Sequence, residues 1–365
     1  MKWLIWIRTY RTWVLLGAVA IFIKLVSLFP GFVETYYTRG FYIIVSKTQR
    51  FLFGWIPFSI GDILYAVLIL FLIFAVVRGI RRLFRRRKQA IKWGAGFRKV
   101  CFAILLLYVV FYAAWGLNYS RQGIAVQFGL PDKKVTVQDL DTLVQLLHNR
   151  MNHDVTLLRV QDRDSLADQR YLFKQAEEAY RLTRKVYPFL DSRPVSVKGS
   201  LFGRLMNYTG VQGYYNPFSG EAQVNMTIPD FLLPSVVTHE IGHQAGYGME
   251  SEANFLSFLT SRQHPSIHFQ YATDFVMYVY ARRMLYMADS ARVKQYDSTL
   301  HPQVLRDMAA YRAFYEKYQG KVEALTSWVY ANYLKINNQP AGSYAYDEVV
   351  IWLVGWYKKY GKHAI

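Results

Sequence analysis

Within the stretch Ile56–Val77 the chain carries the uninterrupted apolar run ILYAVLILFLIFAVV, with one acid, Asp62, just ahead of it. About 20 helical residues of this kind cross the roughly 30 Å of hydrocarbon in a bilayer. Two further stretches share the character. Trp13–Phe29 holds only Lys24, whose long stem lets its charge reach the interface. Val100–Leu117 ends among Tyr112, Trp115 and Tyr119, as an interfacial aromatic belt would. Three transmembrane helices are therefore expected, at 13–29, 56–77 and 100–117. Asp62 falls near a span end, where a charge costs less than at the bilayer centre.

Charge then orients the chain. Of 44 Lys+Arg and 25 Asp+Glu in all, residues 1–117 hold 17 basic residues against two acids, Glu34 and Asp62. Ten of the basic residues lie in the loop 78–99, which has no acid. Read alone, such a run suggests a nucleic-acid arm. Between two apolar stretches it reads as a cytoplasmic loop, because Lys and Arg accumulate on that side. A bilayer is thus the expected partner, and nucleic acid is not. The apolar part of the first stretch exceeds the roughly 7–15 residues of a leader peptide, and no small-x-small cleavage signal follows Pro30, so it is read as a retained span. With the N-terminus inside and an odd number of spans, residues 118–365 lie outside. The aromatic connection 31–55 is expected to lie along the outer interface.

Residues 118–365 are nearly charge-balanced and read as an α+β, mainly helical extracytoplasmic domain. Amphipathic helices are expected at Val135–Met151 and Asp164–Tyr187. A small sheet follows between Pro194 and Met226, punctuated by Gly199, Gly203, Gly210, Gly213 and Gly220. Helices resume at Pro234 and cover Tyr271–Met287, Pro302–Tyr318, Val322–Leu334 and, after a break around Asn338–Gly342, Tyr346–Tyr360. The single cysteine, Cys101, excludes an internal disulfide and every Cys-cluster metal site, so a metal here needs His and carboxylate ligands.

The chemistry concentrates in SVVTHEIGHQAGYGMESEANFLSFL, Ser235–Leu259. His239 and His243, four apart on a helix, share one face and can reach one Zn²⁺, while Glu240 stands beside it as general base and acid. A catalytic zinc site needs a third protein ligand and an open position. Met249 stands where a third histidine would follow the pattern, so a carboxylate is expected, either Glu250 or Glu252. Glu250 is favoured because it shares a helix face with Ala253, Asn254 and Ser257, small or polar groups that permit close approach. Asn254 is placed to hydrogen-bond a ligating histidine. Glu221, Ala222, Gln223, Val224 and Asn225 are read as a substrate-binding strand. Tyr214, Tyr215 and His268 are candidate oxyanion stabilisers.

Glu250-Ser251-Glu252-Ala253-Asn254 resembles the ExxA(D/N) helix that gluzincin-like peptidases place after their HExxH, with the first Glu as third ligand, although the gap after His243 is shorter than in most of them. More broadly the chain is similar to an uncharacterised membrane protein family, domain of unknown function 3810. The resemblance is carried by the apolar spans, Trp115–Tyr119 (WGLNY), Tyr214-Tyr215 with Pro217–Glu221 (PFSGE), and the HExxH and EAN elements. The expectation is a membrane-tethered zinc metallopeptidase with one zinc ion and a protein or peptide substrate. The alternative is a catalytically silent zincin-like scaffold that binds a metal or a partner protein.

Overall fold

The computed structural model describes residues 2–85, 93–130, 134–191, 193–337 and 345–365. Residues 86–92 of the basic loop and the expected break at Asn338–Gly342 lie outside the described residues. Helices dominate, with one three-stranded sheet.

The first helix, α1 (Lys2–Val26), is followed after a short turn by α2 (Pro30–Phe53), bent 102° from it. Residues 33–41 of α2 are wound as a π-helix. Then come α3 (Ile60–Arg85) and α4 (Trp93–Ala114), which contain the two helices that are long and apolar enough to cross a bilayer outright, Ile60–Arg81 and Gly96–Ala114. Among the described residues the count rises to three when the bent pair Tyr10–Val26 and Pro30–Phe53 is taken as one span. Nevertheless α1 packs along α4, with Trp13 edge-on to Phe102 at 5.3 Å. The connection expected at 31–55 is helical, and its polar residues Glu34, Thr38, Ser46 and Arg50 recur on one face and are buried there.

The rest of the chain packs around α5 (Val137–Leu157) and α6 (Gln169–Val186). A reciprocal capping box between Thr136 and Asp139 starts α5, and the Asp168 carboxylate caps α6, which satisfies amide donors the helices leave open. Three strands follow: β1 (Val197–Gly199), β2 (Gly213–Asn216) and β3 (Glu221–Val224), in the order β1-β3-β2. β3 runs parallel to β1 and antiparallel to β2, with Tyr214 opposite Gln223. Next are α7 (Leu233–Gln244), α8 (Glu250–Gln263), α9 (Ile267–Ala288), α10 (Pro302–Tyr318), α11 (Lys321–Ile336) and α12 (Ala345–Tyr360). Leu143, Leu147 and Met151 of α5 and Phe275 and Tyr278 of α9 form the centre of the core.

Two features position the site. Gly242 of α7 sits against Ala253 of α8 so closely that an added Cβ would lie 3.3 Å from the Ala253 Cα, so small residues bring the two helices together. At the end of α7, Gly246 takes φ 86°, a left-handed stop that turns the chain toward α8.

Candidate metal centre

Pro234 in the first turn of α7 pre-sets its backbone, and from there His239 and His243 fall one turn apart on a single face. The α8 helix begins at Glu250, which faces them. His239 Nε2 lies 3.2 Å from one Glu250 carboxylate oxygen and His243 Nε2 lies 3.4 Å from the other. His239, His243 and Glu250 thus offer three ligand atoms within 4.8 Å of one another, a group that can hold a metal ion. Glu252 does not join it. Its carboxylate turns the other way and accepts the Ile124 backbone N–H at 2.8 Å.

Each imidazole is oriented through its second nitrogen. His239 Nδ1 meets Asn254 Oδ1 at 3.0 Å, and His243 Nδ1 meets the Tyr247 carbonyl at 2.7 Å. A carbonyl oxygen only accepts, so each Nδ1 donates and each Nε2 keeps its lone pair free for a metal. Asn254 stands where the sequence expected it. The donor set fits Zn²⁺: two nitrogens, one carboxylate and room for a fourth group.

Glu240 is buried beside this group, and among the described residues its Oε2 has no hydrogen-bond partner. Burial pushes its carboxyl up to about 7, against the pull of both histidines. Burial alone would lower the His243 imidazole, but the Glu250 carboxylate beside it carries it up to about 9. Burial would likewise raise Glu250, yet the two imidazoles hold it well below the usual carboxylate range. Gly213 on β2 makes room for the base, since a Cβ there would fall 2.6 Å from Glu240 Oε1.

The group opens on a cleft of about 750 Å³. Its walls come from β2, α7, α8 and α11 and from the first turns of α3. The oxyanion candidates fare unequally. His268 does not line the cleft, and Arg163 and Asp162 are its charged neighbours. Tyr214 and Tyr215 both line it, but Tyr214 Oη donates to Asp62. Tyr215 Oη meets Tyr42 Oη at 3.3 Å, and Tyr42 in turn donates to the Gln244 carbonyl. Both tyrosines are thus tied into the framework. The expected substrate strand is also corrected. β3 is the central strand, paired on both sides and buried from Glu221 to Val224, with Asn225 buried after it, so no further strand can add to it. β2 is the strand next to the cleft, and its outer edge is unpaired within the sheet. Glu221 has another task, accepting the Gly61 N–H at 2.8 Å at the start of α3, where a carboxylate complements the helix dipole.

Four contributors lay beyond reach of the sequence. Tyr330 of α11 donates to Glu250 Oε1, but nothing sets it apart among 29 tyrosines. Trp115 donates to the His243 carbonyl at 3.0 Å. Arg50 of α2 donates to the Gln244 carbonyl at 2.7 Å, and Arg121 donates to the Gly246 carbonyl at 2.9 Å while pairing with Glu34 of α2. The short turn between His243 and Glu250 is therefore gripped from outside, and α2 supplies half of the grip.

A family model covers residues 37–354, which takes in α2 from Tyr37 onward, both helices long and apolar enough to cross a bilayer, and the whole candidate metal centre. No curated protein and no solved structure matches the chain. With most of its length under that model, the chain belongs to the protein family of unknown function DUF3810.

Proposed function

We propose that this protein is a membrane-tethered zinc metallopeptidase that hydrolyses a peptide bond of an envelope or other extracytoplasmic polypeptide. The observation that supports it best is Glu240: a buried carboxylate with a hydrogen-bond-free oxygen, beside a His-His-Glu group, on the wall of a cleft. A site that only bound metal would have no use for such a base. In this reading His239, His243 and Glu250 hold one Zn²⁺. When bound, the ion polarises a scissile carbonyl and lowers the pKa of a water. Glu240 takes the proton from that water and returns it to the leaving amine. Asn254 and the Tyr247 carbonyl hold the two imidazoles in the tautomer that leaves Nε2 available. Tyr330, already at the Glu250 carboxylate, is the hydroxyl best situated to meet a substrate carbonyl.

The decisive comparison sets wild type against Glu240→Gln and His239→Ala, all full length. Metal analysis should find zinc in the first two and not in the third. Profiling of new peptide termini in the envelope fraction should show termini that depend on Glu240, with turnover down roughly 10²–10⁴-fold in Glu240→Gln. If Glu240→Gln rescues a deletion strain while His239→Ala does not, and no terminus depends on Glu240, the catalytically silent scaffold replaces the enzyme.

The basic residues between Arg78 and Lys99 support a cytoplasmic N-terminus and an outer position for the metal centre. In a Cys101→Ser background, a cysteine at Lys294 should react with a membrane-impermeant thiol reagent in spheroplasts and one at Arg78 should not. The reverse pattern would invert the topology.

A further inference from the structure

Building on the peptidase reading, we propose that the cleft takes its substrate at the bilayer surface, as the membrane-proximal segment of a polypeptide anchored in the same membrane. Three independent features of the molecule meet at this point.

The first is α2, which buries four of its polar side chains and turns a run of large apolar ones outward. Glu34, Thr38, Ser46 and Arg50 are buried, whereas Phe32, Tyr36, Phe41, Ile44, Phe51 and Leu52 are exposed. A helix facing water would present the opposite arrangement. It also turns 102° away from α1, which packs along α4, so it runs across the span direction. An apolar outward face in that orientation belongs to a helix lying in the membrane interface. The inward face of the same helix grips the turn after α7 through Arg50 and Tyr42. α2 therefore joins the end of the metal helix on its inward side to an apolar surface on its outward side.

The second feature is α11. Thr326, Tyr330 and Tyr333 face the cleft, and Asn337 just past the helix end continues this side, its Oδ1 accepting from Tyr112 Oη at 2.9 Å near the outer end of α4. On the other side Val322, Leu325, Val329 and Ile336, at helical spacing, are exposed. Joined to the end of a span, this apolar face continues the surface that the spans present to lipid, and lipid is its occupant.

The third feature is the lining. Tyr65 and Ile69 of α3 and Phe111 of α4 belong to the two outright spans. From Asp62 to Ile69 the cleft follows α3 for about 10 Å. Among the described residues no Lys or Arg lines it. Beyond the metal centre itself it therefore offers no ammonium or guanidinium for a lipid phosphate or a chain-terminal carboxylate. What fits is the interior of an apolar polypeptide segment, entering beside α3 and lying against the edge of β2.

The test uses the full-length protein in vesicles of phosphatidylethanolamine and phosphatidylglycerol. The probes carry one randomised ten-residue segment joined to a single transmembrane anchor through a spacer of either about 5 or about 40 residues, reaching at most ~17 Å and well over 100 Å from the anchor. A surface cleft should cut the short-spacer probe roughly tenfold faster, because effective concentration falls with tether length. A short-spacer rate equal to or below the long-spacer rate overturns the inference and leaves the peptidase reading intact. Cleavage of neither probe removes the peptidase reading, and this inference with it. The double variant Leu325→Glu, Val329→Glu should keep its zinc content and lose the short-spacer advantage. An undiminished advantage would overturn the role of the α11 face.

Discussion

The two long walls of the cleft are built on different principles. On the α7 and α8 side each candidate ligand has a second partner: Asn254 for His239, the Tyr247 carbonyl for His243 and the Tyr330 hydroxyl for Glu250. The helices there approach at a Gly–Ala contact, and nearly every residue of both is buried. On the α11 side the ties are the polar tips of Tyr330 to Glu250, Tyr333 to Tyr119 and Asn337 to Tyr112 together with packing on the short helix Gly203–Thr209, while most of α11 is exposed. Dense packing fixes the first wall, as the proposed chemistry requires. Sparser ties leave the second wall the easier of the two to displace, as the proposed admission of a chain requires.

If that contrast is right, substitutions on the first wall should damage metal or turnover, and those on the second should mainly alter access. The largest effect belongs to His239→Ala, which should abolish bound zinc in metal analysis and reduce turnover to background. Glu250→Gln should also lose most zinc, whereas Glu252→Gln should retain it and instead unfold at lower denaturant. Gln keeps an oxygen for the Ile124 N–H that helps hold the chain leading out of α4 but gives up the carboxylate's charge, which is worth about 1 kcal/mol between a charged and a neutral acceptor. Equal zinc loss in both variants would erase the distinction drawn between the two acids.

Gly213→Ala sharpens the comparison, because a Cβ at 2.6 Å from Glu240 Oε1 displaces the base without touching a ligand. Zinc should stay and turnover should fall by up to ~10²-fold, the usual consequence of an ångström's misplacement. Asn254→Ala should weaken zinc binding by ~10- to 100-fold in a competition titration with a chelator, since it frees the His239 ring. Smallest of all is Tyr330→Phe. Zinc and fold should survive, with turnover down by no more than ~10-fold; a loss of zinc as large as in Glu250→Gln would mean that the α11 wall holds the ligand and is not a movable side.

Local pattern carried much of this in the sequence. The helices at Ile60–Arg81 and Gly96–Ala114, long and apolar enough to cross a bilayer, follow from contiguous apolar residues, and α10 was legible to its end residues, Pro302 and Tyr318. His239, Glu240 and His243 needed only the four-residue helical step, and the preference for Glu250 with Asn254 came from the same step on the next helix. Spacing along a chain reports which side chains share a face, because that geometry is set within a few residues. It does not report what the face meets. Whether β3 is central or an edge, whether Tyr214 and Tyr215 have protons to offer, and where His268 lies depend on partners such as Asp62 and Tyr42, more than 150 residues away from the tyrosines they bind. The same holds for α2, read as an outer connection because its aromatics suggested the interface. Its buried polar face became meaningful only when Arg50 and Tyr42 were found closing on Gln244, a contact that long-range packing alone decides.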